Sequence, residues 1–311
     1  MKRQFSETPS RRAFVSAALA ATCAAVMPRA NHPATAAALA EPVIDIHQHT
    51  NYHGRNDAGL IEHQRLLGAT KSVLLPAGSL YGLEAQCLGN ESVMALAKKY
   101  PDKFAFFANE VAELPGAVKT IEKYLKLGAI GIGEQKFFVD CDSPYSQNLA
   151  ALAADYGVPV LLHFQYNKFN TAYERFHKVL EKFPRVNFIG HAQTFWGNID
   201  QKHDQTVLYP TGPVTPGGLS DRWMRDYPNF YGDLSAGSGL NAMTRDEEHA
   251  RAFLLRNQDR LMFGSDCQDV DTVDKACVGS RQLALVRRLV TDGKPLAKIL
   301  HQNAARIMRL K

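Results

Sequence analysis

Cysteine is scarce in this chain, with five among 311 residues, and Cys23 falls in a leader read below as removable. The other four, Cys87, Cys141, Cys267 and Cys277, match no zinc-finger spacing and are too few to build a disulfide scaffold. Cys267 and Cys277 are able to pair in an oxidising compartment, but unpaired buried thiols are the default expectation. An excess of either charge is lacking too. The formal net charge is +5, yet Lys2, Arg3, Arg11, Arg12 and Arg29 against Glu7 place most of it in the first 40 residues. The remaining 31 basic and 30 acidic side chains nearly cancel, which removes the electrostatic reason to expect a nucleic-acid partner. No apolar run is long enough for a comfortable membrane span, so no stable membrane association is expected after processing. A length of 311 residues with 45% apolar and 22% charged side chains suits one α/β barrel or two smaller domains.

Residues 1–40 read as a targeting segment rather than as fold. Ser10-Arg11-Arg12-Ala13-Phe14-Val15 resembles the twin-arginine export motif, and an Ala-rich apolar stretch runs from Ala13 to Val26. Ala38-Leu39-Ala40 before Glu41 makes a small-residue cleavage site. The alternative is a disordered basic leader. The export reading predicts the twin-arginine machinery as a partner, a mature body of residues 41–311, and a periplasmic or otherwise exported location.

After Glu41 short apolar runs alternate with amphipathic stretches, the signature of repeated strand–helix units. Strands are predicted at Val43–His49, Lys71–Leu75, Phe104–Ala108, Ala129–Gly133, Val158–His163, Val186–His191, Phe230–Leu234 and Leu261–Ser265. Helices are predicted near Ala58–Leu67, Glu91–Tyr100, Val118–Leu127, Gln147–Tyr156, Thr171–Phe183, Arg245–Arg256, Ser280–Val290 and Pro295–Leu310. Between the sixth and seventh strands, Ala192 to Ser220 is rich in Gly and Pro and reads as a long functional loop. Eight such units fit a single (β/α)8 TIM barrel without an internal boundary.

The strand ends carry the chemistry. His47 and His49 close the first strand, His163 the fifth and His191 the sixth, while Asp266 follows the eighth. In an eight-stranded parallel barrel these ends meet on one rim, where barrel enzymes keep their active sites. Period-2 alternation puts Val43, Asp45, His47 and His49 on one face, with the two imidazoles roughly 6–7 Å apart along the strand. Neutral imidazoles with a carboxylate suit zinc or a similar divalent ion. Asp266 is then placed to move the proton of an attacking water, and His191 either binds metal or polarises a substrate carbonyl. After strand four, Glu134 and Lys136 share a face. Either is able to reach the mouth, or the two serve as a structural or substrate-binding charge couple. Weaker substrate readers are Asn51, Tyr52, His53, Arg55, Gln165, Tyr166, Gln193, Trp196, Asp233 and Ser235, all in loops or at strand ends.

Ile44-Asp45-Ile46-His47-Gln48-His49, His163, Gly190-His191, Phe263-Gly264-Ser265-Asp266 and Gln302-Asn303-Ala304-Ala305-Arg306-Ile307 together resemble the amidohydrolase superfamily, in its amidohydrolase-related branch. The resemblance covers Val43 to Leu310. It implies that His47, His49, His163 and Asp266 bind or adjoin metal and that His191 is catalytic or a second-metal ligand. It also implies a bridging Lys or Glu at the end of strand four, where this chain offers Glu134 and Lys136; with Glu134 as the bridging ligand, His163 and His191 bind the second ion. The expectation is an exported, metal-dependent hydrolase of a lactone, ester or amide bond in a small molecule, with one or two ions and possible homo-oligomers. The same ligands serve the branch's decarboxylases, which release carbon dioxide from small carboxylic acids. A non-catalytic binding protein is the third reading, and an intact ligand set argues against it.

Overall fold

The computed structural model describes residues 41–78, 86–269 and 277–310, so the export motif and cleavage site lie outside the described residues. Each short apolar run becomes a strand because branched and aromatic side chains fill both faces of a buried parallel sheet. The strands are β1 (Ile44–Gln48), β2 (Lys71–Leu74), β3 (Phe104–Phe106), β4 (Ile132–Gln135), β5 (Val160–His163), β6 (Phe188–His191), β7 (Phe230–Asp233) and β8 (Leu261–Met262). Their ladders are all parallel, β1 to β3 in one run and β4 to β8 in another.

Two seams join those runs into a ring. At one, Ala108 bridges to Ile132 and accepts from Gly133 N at 3.0 Å. At the other, Ile46 N donates to Phe263 O at 3.1 Å and Asp266 N to His47 O at 2.9 Å. The result is the expected (β/α)8 barrel. Ile44, Ile46, Val73, Leu75, Phe107, Leu161, Ile189, Tyr231 and Met262 pack inside it, joined by Ala304, Ile307 and Met308 from the closing helix. Val43, Leu74, Phe104, Phe106, Ile132, Val160, Leu162 and Phe188 pack instead into the layer shared with the helices. Each such side chain, fully buried, contributes about 1.5–3 kcal/mol, so both faces of the strands hold the ring.

Capping chemistry sets the helix ends. Asn56 accepts from Gly59 N at 2.8 Å to start α1 (Asp57–Leu67), and Gly68, at φ 74°, ends it. After α2 (Asn90–Lys99) and α3 (Ala117–Lys126), Ser143 caps α4 (Pro144–Tyr156), whose first residue is a proline that needs no N–H partner. The expected helix Thr171–Phe183 shortens to α5 (His177–Lys182) behind a tight turn at Tyr173–Arg175.

The other departures cluster after β6. The expected Ala192–Ser220 loop begins with α6 (Ala192–Gly197) and ends by entering α7 (Leu219–Asp226). Directly after β7 runs α8 (Ala236–Thr244), a helix that its glycines conceal in the sequence. Its Gly239 lies against the Leu234 backbone, where a Cβ would collide. Then come α9 (Glu247–Arg256) and α10 (Val278–Leu289). The predicted Pro295–Leu310 helix is split into α11 (Gly293–Ala297), a π-helical turn at Lys298–Gln302 and α12 (Asn303–Met308). Asn303 Nδ2 donates to Gln258 O at 2.7 Å and Leu261 O at 2.9 Å, pinning this stretch to β8. Strand four starts at Ile132, three residues later than expected, because Ile132 is the residue that pairs with Ala108. Among the described residues no helix is long and apolar enough to cross a membrane.

Candidate metal centre

The end of β1 departs from simple alternation. Val43 packs outside, Ile44 and Ile46 inside, and the register shifts between Asp45 and Gln48. Asp45 is the cause on hand. Its carboxylate accepts from His47 N at 3.1 Å and from Ser265 N at 2.8 Å, tying β1 to the segment after β8. Gln48 donates to Ser265 Oγ at 2.6 Å and accepts from the buried Arg55 guanidinium. His47 and His49 are thereby both delivered to the mouth of the barrel, with their Nε2 atoms 3.2 Å apart.

Around this pair stand two carboxylates from distant strands. Glu134 Oε2 lies 3.6 Å from each of the two Nε2 atoms, and Asp266 Oδ1 lies 3.7 Å from that of His47 and 3.6 Å from that of His49. A tetrahedral zinc ion about 2.0–2.2 Å from N and O ligands sets its donors about 3.3–3.6 Å apart. The observed edges of 3.2–3.7 Å fit that spacing. Asp266 Oδ1 is also buried without any hydrogen-bond partner among the described residues, a costly state unless something else engages it. The residue sits at φ 45°, held there by its N–H bond to His47 O.

Hydrogen bonds behind the imidazoles decide which nitrogen faces the centre. His49 Nδ1 donates to Leu75 O at 2.8 Å, and His47 Nδ1 to Asp233 Oδ2 at 2.7 Å. Both therefore turn an Nε2 lone pair inward. Ser235 Oγ donates to Asp233 Oδ2 at 2.8 Å, which leaves its lone pairs to accept from His191 Nδ1 at 3.1 Å. His191 too then presents an Nε2 lone pair, 3.7 Å from Glu134 Oε1 and 3.8 Å from Asp266 Oδ2. His163 faces the same carboxylate, with Nδ1 2.6 Å from Glu134 Oε1. The two oxygens of Glu134 thus address two donor groups, His47 with His49 and His163 with His191. Lys136 takes no part: its Nζ lies over the Phe169 ring, 5.5 Å from the centroid. The structure separates the Glu134–Lys136 pair that strand alternation had put together.

The electrostatics of the pocket follow from burial. Burial works to raise Glu134 and Asp266, yet His163 and His47 around the first, and His47 and His49 around the second, hold both well below the ordinary carboxylate range. Burial likewise works to lower His47, but Asp266 and Asp233 carry it well above its ordinary value. His49 is raised to about 10, with Cys87 and Asp266 overcoming burial. His191 behaves oppositely: burial and the neighbouring His47 push it down to about 4, so its imidazole is neutral. The carboxylates of Glu134, Asp233 and Asp266 thus draw positive charge into the pocket, which a divalent ion would supply in place of protons.

Of the expected substrate readers, several have other work. Asp233 is fully buried and orients His47, Ser235 links His47 to His191, and Trp196 Nε1 donates to Asp233 O at 3.0 Å. Arg55 is buried against Gln48 and the Asp269 carbonyl. Asn51 is spent on a bond to Gln86 O at 2.8 Å. Tyr52 does reach the site. Its ring packs edge-on to His49 at 4.9 Å, and burial with the facing Asp266 carboxylate raises its hydroxyl above the ordinary range. His53 stacks on Tyr52 at 5.3 Å and is exposed. Gln165 Oε1 lies 3.3 Å from His163 Nε2, and with Tyr166 it lines a cavity of about 200 Å³ beside the mouth. Gln193 donates to Tyr209 OH at 3.2 Å. Tyr209, from the long segment after α6, was not singled out in the sequence because aperiodic loops give no sign of where their side chains return.

No protein of curated function matches this sequence. In fold the chain is similar to an uncharacterised TIM-barrel protein from Bordetella bronchiseptica, with a TM-score of 0.64 and 18% identity over 86% of this chain and 99% of that one. It is similar to a probable 2-pyrone-4,6-dicarboxylic acid hydrolase from Acinetobacter baumannii, with a TM-score of 0.56 and 13% identity over 86% and 99% of the two chains. A dihydroxybenzoic acid decarboxylase from a Polaromonas species, solved with bound manganese, gives a TM-score of 0.55 and 14% identity over 87% and 97%. At such identities the likeness is one of fold. The sequence pattern of one family goes further, matching residues 44–310, from the first residue of β1 past the end of α12. On that match, the chain belongs to the amidohydrolase family.

Proposed function

We propose that this protein is an exported, metal-dependent hydrolase that attacks a carbonyl-type bond, that of a lactone, ester or amide, in a small molecule. The observation that carries the reading is the set of donor spacings among His47, His49, Asp266 and Glu134, closed by a buried Asp266 oxygen with no hydrogen-bond partner among the described residues. His47, His49 and Asp266 would hold one divalent ion, zinc by donor type and spacing. Glu134 would be shared with a second, held by His163 and His191. When bound, such ions polarise a carbonyl and lower the pKa of a water from about 15.7 towards about 7.

The chain's own groups supply the remaining steps. Asp266 Oδ2, on the side of His191, takes the proton of the attacking water and delivers it to the leaving group. The neutral His191 directs a lone pair, not a proton, at the reacting space, which favours the ligand role over the carbonyl-polarising one. That leaves Tyr52, whose hydroxyl faces Asp266, as donor to the oxygen that gains charge.

A second reading, decarboxylation of a small carboxylic acid, is favoured by the decarboxylase among the similar folds. Product analysis separates the two: hydrolysis consumes water and liberates an acid, whereas decarboxylation releases carbon dioxide. Turnover of lactones or esters that stops on chelation and returns with metal supports the hydrolase. Carbon dioxide release supports the second reading, and failure across both substrate panels supports a binding protein. Export is part of the same proposal, and Arg11→Lys with Arg12→Lys is expected to retain the protein in the cytoplasm. Normal secretion of that variant would overturn the twin-arginine assignment.

A further inference from the structure

Behind the metal centre lies a second cluster that the proposed chemistry does not use. Cys267 follows Asp266 directly, and Cys277 stands at the N-terminal cap of α10. Both thiols are buried, and their Sγ atoms are 2.7 Å apart. Unbonded heavy atoms settle at about 3.5–4.0 Å even when they are carbons. Two thiolates on one zinc ion, at about 2.3 Å from it, stand about 3.7 Å apart. A disulfide holds its sulfurs at about 2.05 Å. The observed separation falls between bond and contact, shorter than a shared ion allows.

The surroundings are built for thiol chemistry. His63 Nε2 lies 3.4 Å from Cys277 Sγ, while His63 Nδ1 is buried without a hydrogen-bond partner among the described residues. Cys267 Sγ donates to Asp269 Oδ2 at 3.1 Å. Gly279, in the first turn of α10, lies so close to the Ser265 side chain that a Cβ would not fit. The two segments are therefore already in contact, and a covalent link between them needs little backbone movement.

We propose that Cys267 and Cys277 form a disulfide that fastens the Asp266 segment to the start of α10. His63 takes the Cys277 proton, and the thiolate attacks a low-molecular-weight disulfide, releasing one thiol. Cys267, losing its own proton, then attacks the Cys277 sulfur of that mixed disulfide and releases the second thiol. Two electrons and two protons pass from the pair to the oxidant. The neighbouring Cys267 and His63 hold the Cys277 thiol down to about 5 against the effect of burial, which agrees with Cys277 as the attacking group.

The test uses the full chain, expressed without reductant and equilibrated with oxidised glutathione in sub-denaturing urea so that buried thiols exchange. After acid quenching, the protein is unfolded, alkylated and digested with trypsin. Cleavage after Arg260, Lys275 and Arg281 puts the two cysteines on separate peptides, Leu261–Lys275 and Ala276–Arg281. The expected result is one linked pair, two hydrogens lighter than its parts, while Cys87 and Cys141 are alkylated. In Cys277→Ser, Cys267 should become alkylated. Reductant should lower the melting midpoint of the wild type by about 5 °C and leave that of a Cys267→Ser, Cys277→Ser variant unchanged. Alkylation of Cys267 and Cys277 to the extent of Cys87 and Cys141 would overturn the proposal. Protection lifted by a chelator instead of a reductant would replace it with a metal site, and a link without effect on the midpoint would overturn the fastening.

Discussion

Replacing Asp233 by Asn tests the metal centre through a residue that would touch neither ion nor substrate. Asp233 Oδ2 accepts from His47 Nδ1 at 2.7 Å, and Oδ1 accepts from Ser235 N at 3.0 Å. An amide has one acceptor where the carboxylate has two. If its oxygen faces Ser235 N, its NH₂ group meets His47 Nδ1, and the imidazole proton must move to Nε2, the atom that faces His49 and Glu134. If it faces His47 instead, the NH₂ group opposes the Ser235 N–H, and a buried donor goes unpaired at about 1–3 kcal/mol. Either way the negative charge that strengthens His47 as a donor is gone. Loss of such a partner costs 10–100-fold in metal affinity, about 1.4–2.8 kcal/mol. Competition against a chromogenic chelator measures it, with circular dichroism confirming that the barrel is intact. Ser235→Ala, which keeps the Asp233–His47 bond, should lose less. Affinity unchanged within about twofold in a folded Asp233→Asn protein would refute the orientation argument.

Other expectations follow from the same geometry. Asp266→Asn should keep the fold and part of the metal but lose at least about 10²-fold in turnover, and near-normal turnover would move the proton shuttle elsewhere. Glu134→Gln should lower the metal content from about two ions to about one, whereas a single ion in both proteins, by elemental analysis, would end the bridging role. In chelated protein the stabilisation from His49, raised from 6.5 to about 10, is complete below 6.5 and fades as pH climbs towards 10. Glu134 and Asp266, both held low, act the other way and lose their contribution only at acidic pH. The melting midpoint of the metal-free form should therefore decline from mildly acidic to alkaline pH, a decline that the loaded form should not share. Parallel curves for the two forms would count against the protonated imidazoles.

Much of this site was legible in the chain because a closed parallel barrel brings all strand ends to one rim. His47, His49, His163, His191 and Asp266 needed only their positions after apolar runs to be grouped, and the structure groups them. Glu134 was harder. Glycines at 131 and 133 blur the strand register, and Gly133 adopts φ 137° against the Leu161 backbone. The helix α8 was hidden by its glycines, and Tyr209 by the aperiodic segment that carries it.

The sequence by itself determined the order of strand–helix units, the scarcity of cysteine and one-signed charge, and which side chains stand at strand ends, because these depend on local periodicity and composition. Only the tertiary structure decided which atoms of those side chains meet. His47 depends on Asp233, 186 residues away, for the nitrogen it turns inward, and the shift at Asp45 depends on Ser265, 220 residues away. Such hydrogen bonds exist only once the ring has closed in one register, and nothing in the order of neighbouring residues records that register.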